Sequence, residues 1–202
     1  MSILNSNFRR HLPVALLLAL PATADAHTVI SGVGDYFSGV LHPLTTPEHV
    51  LVLLGLGLLL GQHSLLNLKT ALTVFVPASA LGLALTTTGL IQTVYPPLLI
   101  GLALTTGALV ALAKSPGIWV CRGLFALAAL ALGLDSAVES GIALVITKTL
   151  LGTWTGLILA VADVAYYASL FNQRQWQQVG LRVAGSWITA ASFMILAFAL
   201  RR

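Results

Sequence analysis

Two histidines and a glutamate stand directly in front of an apolar run in the stretch 41–60, which reads LHPLTTPEHVLVLLGLGLLL. Imidazole is a good ligand for Zn, Cu, Ni and Co, and carboxylates also bind divalent cations. A segment that enters lipid has no need of such side chains at its start. The types and spacing of His42, Glu48 and His49 therefore indicate a metal site at the beginning of a membrane helix.

Helix-end chemistry explains part of this cluster without a metal. Thr46 can cap the helix, Pro47 suits its first position, and Glu48 in the first turn complements the helix dipole. That account does not extend to His49, because a protonated imidazole is disfavoured at a helix N-terminus, whereas a neutral one is available to a metal. The alternative for His42 and His49 is a pair of interfacial histidines satisfied by neighbouring polar groups.

A second group of candidate ligands lies in LGLDSAVESG, residues 132–141. Asp135 and Glu139 are four residues apart, so they share a helical face if the helix continues through them. Two like charges placed in this way repel each other unless a cation lies between them. A solvated loop at the helix end is the other interpretation.

Asp163 lies inside the apolar stretch LILAVADVAYYASL. A carboxylate near the middle of a membrane helix costs about 2.5–3.5 kcal/mol on insertion scales. Such residues usually face the bundle interior and mark ion or proton paths. The sequence predicts that role for Asp163, with a structural hydrogen bond to Tyr166 or Tyr167 as the alternative.

The N-terminal residues 1–26 have the three parts of a secretory signal: two arginines, a short apolar stretch and an Ala-Asp-Ala cleavage site. The other interpretation is an uncleaved first span. Cleavage after Ala26 would make His27 the mature N-terminus, where its amine and imidazole can chelate a metal together. We therefore expect a signal peptide at 1–26 followed by a single six-helix transmembrane domain at 27–202.

Composition places the chain in a membrane. Of its 202 residues, 57% are hydrophobic and 8% are charged, whereas soluble domains carry roughly 25% charged residues. The net charge of +4 is too diffuse for nucleic-acid binding. The single cysteine, Cys121, excludes an intramolecular disulfide. The fold class expected is therefore an all-α polytopic membrane bundle.

Six apolar stretches are long enough to span a bilayer, which requires about 20 residues each. Short connections rich in Pro and Gly separate them. The stretches are approximately Pro47–Gly61, Lys69–Ile91, Pro96–Ala113, Gly117–Leu134, Ala143–Phe171 and Gly180–Leu200.

The distribution of basic residues predicts the orientation. If an exported signal is cleaved, the mature N-terminus is periplasmic, and the inner connections hold Lys69, Lys114, Arg122, Arg174 and Arg182. This agrees with the positive-inside rule for a bacterial inner membrane. The acids and histidines named above then lie at or near the outer face, apart from Asp163. Cys121 lies on the inner side, away from the histidines, and His63 is expected to end a helix there rather than to bind a metal.

The chain resembles the HupE/UreJ family of small bacterial membrane proteins, which are linked to nickel and cobalt supply. The likeness covers essentially the whole chain, and its most specific part is HPLTTPEH, residues 42–49, which is similar to the family's H-P-x-x-G-x-D-H. Two departures make the expected site richer in carboxylates. At the end of the fourth helix, family members carry H-x-H-G-x-x-E, whereas this chain retains Glu139 but has Asp135 in place of an imidazole. In the fifth helix, this chain has Asp163 at a position that is often His in the family.

The expected function is an inner-membrane permease for a divalent transition-metal ion, either Ni or Co by resemblance, with Zn, Mn, Fe and Cu left open. The ion would be captured outside by His42, Glu48 and His49, with help from His27, Asp135 and Glu139, and Asp163 would pass it through the bundle. Two alternatives are a membrane metallochaperone serving a metalloenzyme and a structural subunit of a membrane complex. An enzyme is not expected, because no nucleophile or base with an oriented partner can be identified.

Overall fold

The described part of the computed structural model comprises residues 34–63, 66–89, 96–138, 141–199 and 201. These residues form seven α-helices and no strand, which confirms the all-α prediction. The helices are α1 (Asp35–Thr45), α2 (Pro47–Gln62), α3 (Leu66–Thr86), α4 (Pro96–Ala111), α5 (Ile118–Leu134), α6 (Ala143–Leu170) and α7 (Gln175–Ala199). The predicted signal peptide at 1–26, His27 and Glu139 lie outside the described residues.

Each of the six predicted stretches overlaps most of one of the helices α2 to α7, although α2, α3 and α7 extend beyond the predicted bounds by one to five residues. By length and composition, α6 and α7 qualify as membrane spans, and α1 with α2 forms a third if this bent pair is counted as one. The apolar segments Ala71–Thr86, Pro97–Ala111 and Ile118–Leu134 are shorter. Large apolar side chains are exposed as well as buried, including Leu151 and Leu159 on α6. A helix that is apolar on all sides is suited to lipid on its outer surface, so the chain is a membrane protein.

The sequence did not predict α1, which precedes the first expected span and meets α2 at an angle of 76°. Thr46 alone separates the two helices, and its extended backbone (φ −96°, ψ 113°) breaks the helical path. Prolines at both sides reinforce the break: Pro43 lies inside α1, and Pro47 occupies the first position of α2, as predicted. The bend brings the C-terminal end of α1 to the N-terminal end of α2.

Helices pack as close pairs, α3 with α5, α1 with α6 and α4 with α7, and α2 also packs against α4, α6 and α7. Glycines allow the closest approaches, since a Cβ at Gly152 or Gly156 of α6 would collide with the backbone of α1 at Tyr36 or Val40. Small residues serve this purpose in membrane bundles, where van der Waals contact replaces the hydrophobic effect between helices. Helix α1 is therefore held firmly against α6.

Candidate metal site at the break between α1 and α2

The two predicted histidines lie on either side of the helix break. His42 is in the last turn of α1 and His49 is in the first turn of α2. The hydroxyls of Thr45 and Thr46 donate to the carbonyl oxygen of His42, at 2.9 and 3.3 Å, and so close the end of α1. Thr46 is the N-cap residue of α2, as predicted, but its side chain makes no cap hydrogen bond to that helix, because its hydroxyl donates to α1 instead.

His49 is fully buried, with 0% of its side chain exposed, and its Nε2 lies 2.9 Å from Oδ2 of Asp135. An ionised carboxylate can only accept, so the proton of this hydrogen bond is on Nε2. In the neutral ring the other nitrogen, Nδ1, then carries a lone pair. That Nδ1 is buried and has no hydrogen-bond partner within the described residues.

Buried polar atoms are nearly always hydrogen-bonded, so the Nδ1 of His49 requires an explanation. Histidines that bind metals commonly donate their second N–H to a carboxylate, which fixes the tautomer and the ring orientation. The His49–Asp135 pair has this arrangement. It makes His49 Nδ1 the atom best suited to ligate an ion, and it makes Asp135 the group that positions the ring.

The His42 ring lies beside His49, with centroids 5.6 Å apart and planes at 87°. With metal–nitrogen distances of about 2.0–2.1 Å, two imidazoles bound to one tetrahedral ion have centroids roughly 5–6 Å apart. The observed separation is thus compatible with both rings serving one ion. The sequence predicted this pair, and the structure brings its two members together.

Asp135 reaches the site differently from the prediction. Helix α5 ends at Leu134 and Asp135 is its C-cap, so the helix does not continue through Asp135 towards Glu139 and the shared helical face is not formed. The end of α5 instead delivers the Asp135 carboxylate to His49, from 86 residues away in sequence. Sequence reasoning identified Asp135 as a ligand candidate but missed its pairing with His49.

Glu48 is half-buried in the first turn of α2, directly beside His49 in sequence. In the described part of the chain, no three His, Cys, Asp or Glu side chains are grouped closely enough to hold one metal ion. The two histidines and Asp135 therefore form a partial site. Glu48, and His27 and Glu139 outside the described ranges, remain the predicted sources of further ligands.

Asp163 is exposed on the outer surface of α6, whereas the sequence predicted that it faces the bundle interior. The 28 residues of α6 span about 42 Å, which exceeds the roughly 30 Å hydrocarbon core by about 12 Å. Asp163 lies seven residues before Leu170, about 10 Å from the C-terminal end of α6.

His63 ends α2 as its C-cap, as expected, and its backbone N–H donates to the carbonyl of Leu60. Burial lowers the pKa of His63 below its ordinary value of 6.5, and a hydrogen bond with the backbone of Lys114 opposes that effect in part. The ring is therefore mostly neutral at neutral pH. It lies at the far end of α2 from His49, about 21 Å away along the helix axis.

A family model described as "HupE / UreJ protein" matches residues 14–195, which is most of the chain and includes all of α1 to α6 and most of α7. No curated protein and no solved structure matches.

Proposed function

The chain belongs to the HupE/UreJ family, and on that basis we propose that it is an inner-membrane permease for a divalent transition-metal ion. Nickel and cobalt are the cargoes that the family indicates. The ion is captured from the periplasmic side by His42 and His49 at the break between α1 and α2. Asp135 positions His49 for this purpose.

One observation carries the proposal: His49 Nδ1 is fully buried, lacks a hydrogen-bond partner in the described structure, and belongs to a ring oriented by Asp135. A site at a broken helix also suits transport. Transporters place ions at discontinuous helices, where backbone groups freed by the break lie close to the cargo. Here the break lies between His42 and His49.

The choice of metal follows from the ligand types. Imidazole nitrogens favour Ni, Co, Zn and Cu, whereas the carboxylates of Glu48 and Glu139 shift the preference towards harder ions such as Mn. Two imidazoles and one or more carboxylates form a mixed set suited to borderline ions. Nickel and cobalt therefore fit both the family and the donor atoms.

The membrane potential is sufficient to drive uptake. A divalent cation that moves into a cell gains about 4.6 kcal/mol per 100 mV, twice the single-charge value. The orientation that makes this transport inward places His49 outside and the basic connections inside, as the positive-inside rule requires.

A metallochaperone that binds the ion outside and delivers it to a metalloenzyme is the second candidate. The apolar packing of α2 supports this alternative. Below His49, α2 continues with Val52, Leu53 and Leu56, all 0–2% exposed, so a dry core lies under the site. A permease with this core must rearrange to pass an ion, whereas a chaperone need not.

Uptake into proteoliposomes separates these functions. The full-length protein, purified from membranes, would be reconstituted with an inward-negative potential and supplied with Ni, Co, Zn, Mn or Fe. The variants are His49→Ala and Asp135→Leu, with Asp35→Asn as the matched control because Asp35 is an acid on α1 that is not paired with His49.

Uptake that is lost in His49→Ala and Asp135→Leu and kept in Asp35→Asn supports the permease. Binding of the same metal without uptake, again lost in His49→Ala, supports the chaperone. If neither binding nor uptake occurs, or if His49→Ala changes neither, the metal site does not exist and a structural role remains.

A further inference from the structure

Three cavities adjoin one another at the opposite end of the bundle from His49. The first, of about 340 Å³, is lined by polar groups that include Gln62, His63 and Arg182. The second, of about 10 Å³, is lined in part by His63 and Cys121. The third, of about 270 Å³, is lined in part by Cys121 and Arg122. His63 borders the first and second cavities, and Cys121 borders the second and third.

Antiparallel helices explain why these residues meet. Asp135 at the end of α5 reaches His49 at the start of α2. Cys121, in the first turn of α5, therefore lies at the same end as His63, the C-cap of α2. The sequence placed both Cys121 and His63 on the inner side, and in the structure both line one small cavity.

The His63 ring has a nitrogen available on the buried side. Its Nε2 is shielded from solvent and lacks a hydrogen-bond partner among the residues that the structure describes. A buried imidazole nitrogen without a hydrogen-bond partner is available to ligate a metal ion.

Cys121 supplies the complementary donor. It is the single cysteine of the chain, its thiol is free, and it is half-buried. A thiolate and an imidazole together select Co, Ni, Zn or Cu(I) over Mg and Ca. The shared cavity is about the size of one probe sphere, which is room for a single water or ion.

We propose that His63 Nε2 and Cys121 Sγ form a second metal site at the inner end of the bundle, through which a thiophilic divalent ion leaves the protein. This inference rests on the proposed transport function for its direction, inward, but not for the binding itself. On binding, the thiol proton is released to water and the thiolate forms the metal–sulfur bond. Water in the wider cavities, or the amide oxygen Oε1 of Gln62, which is also buried without a partner in the described chain, completes the coordination.

The surrounding charges suit release more than storage. Arg122 follows Cys121 in sequence and lines its cavity, and Arg182 lines the cavity on the side of His63. Their positive charges oppose tight retention of a cation. An ion path needs sites that are weak enough to be vacated, and this site meets that condition.

Cobalt titration of the purified full-length protein tests the site, because a thiolate bound to Co²⁺ gives a sulfur-to-metal charge-transfer band in the near ultraviolet. With one cysteine in the chain, that band has a single source. We expect the band in the native protein, its loss in Cys121→Ser, and Co²⁺ binding at least about tenfold weaker in His63→Gln, since loss of even an outer-shell partner has that effect. Ser115→Ala, which alters another residue lining the same cavity, should keep the band.

His49→Ala separates the two sites. If uptake is lost in this variant while the thiolate band is kept, both the outer and the inner site are supported. If the native protein takes up no metal but shows the band, the permease fails and the inner site stands. Absence of the band in the correctly folded native protein, or a band of the same strength and affinity in His63→Gln, would overturn the inner site.

Protection of the thiol gives an independent measurement. Alkylation of Cys121 by a maleimide should slow at least about tenfold when Co²⁺ is added to the native protein, and should not slow in His63→Gln. A rate that is the same with and without Co²⁺ would refute the inner site even if Cys121→Ser failed to fold.

Discussion

Replacing Asp135 with alanine removes the carboxylate that accepts a hydrogen bond from the buried His49 ring at 2.9 Å. A hydrogen bond to a charged group contributes about 1.5–3 kcal/mol. Water competes for part of this energy, because 28% of the Asp135 side chain is exposed, whereas His49 is not exposed at all. We therefore expect the free energy of unfolding to fall by about 1.5–2 kcal/mol, near the lower end of that range.

The assay is unfolding of the metal-free protein in mixed micelles, followed by circular dichroism, as a double-mutant cycle of Asp135→Ala with His49→Leu. The coupling between the two changes should be about 1.5–2 kcal/mol. Asp135→Asn should cost less than Asp135→Ala, since the amide oxygen still accepts from His49 Nε2. Asp35→Ala serves as the control and should show no coupling with His49→Leu.

The refuting result is additivity. If Asp135→Ala and His49→Leu combine within about 0.5 kcal/mol, the two side chains do not interact in the folded protein. The inference that Asp135 positions His49 for a metal would then fail. The metal affinity provides the functional counterpart, with an expected loss of about 10–100-fold in Asp135→Leu.

Three further predictions follow from other parts of the molecule. Gly152→Ala should destabilise the protein, because the new Cβ would meet the carbonyl of Tyr36, whereas Gly123→Ala on α5 has open space and should leave the thermal midpoint nearly unchanged. Asp163→Asn should keep metal uptake in proteoliposomes, since this carboxylate is exposed on α6 and not in the bundle interior; lost uptake would return Asp163 to the ion path. As pH falls below 6.5, the unfolded chain takes up a proton at His63 before the folded protein does, because burial lowers the folded pKa. Stability should therefore be full above pH 6.5 and decline below it, and His63→Gln should show a smaller decline in a pH series of unfolding curves.

The sequence predicted the positions of the helices better than it predicted which of their faces are buried. Strong apolar runs located α2 to α7, and Pro47 marked the start of α2. Helix α1 was missed because it is short and contains Pro43. Asp163 was assigned to the wrong face because a helix in lipid is apolar on every side, so the pattern of polar residues does not show which face is inside.

The site was predictable where its residues are close in sequence. His42 and His49 belong to one motif, and the structure brings their rings together. The pairing of His49 with Asp135 joins positions 86 residues apart and depends on where α5 ends. The same holds for His63 and Cys121, whose proximity follows only from antiparallel packing. Contacts of this kind depend on how the helices pack against one another, which cannot be predicted from composition and residue spacing.

The single extended residue between α1 and α2 has a mechanical consequence. His42 lies on α1 and His49 lies on α2, and Thr46 is the single residue between these two helices. The distance between the two rings therefore depends mainly on the backbone dihedral angles of Thr46. Helix α1 cannot rotate independently about Thr46, because its backbone is in close contact with Gly152 and Gly156 of α6. Opening the angle at Thr46 therefore requires α6 to move with α1. Helix α6 has 28 residues and extends towards the opposite side of the membrane. A change in the distance between His42 and His49 would therefore displace the far end of α6.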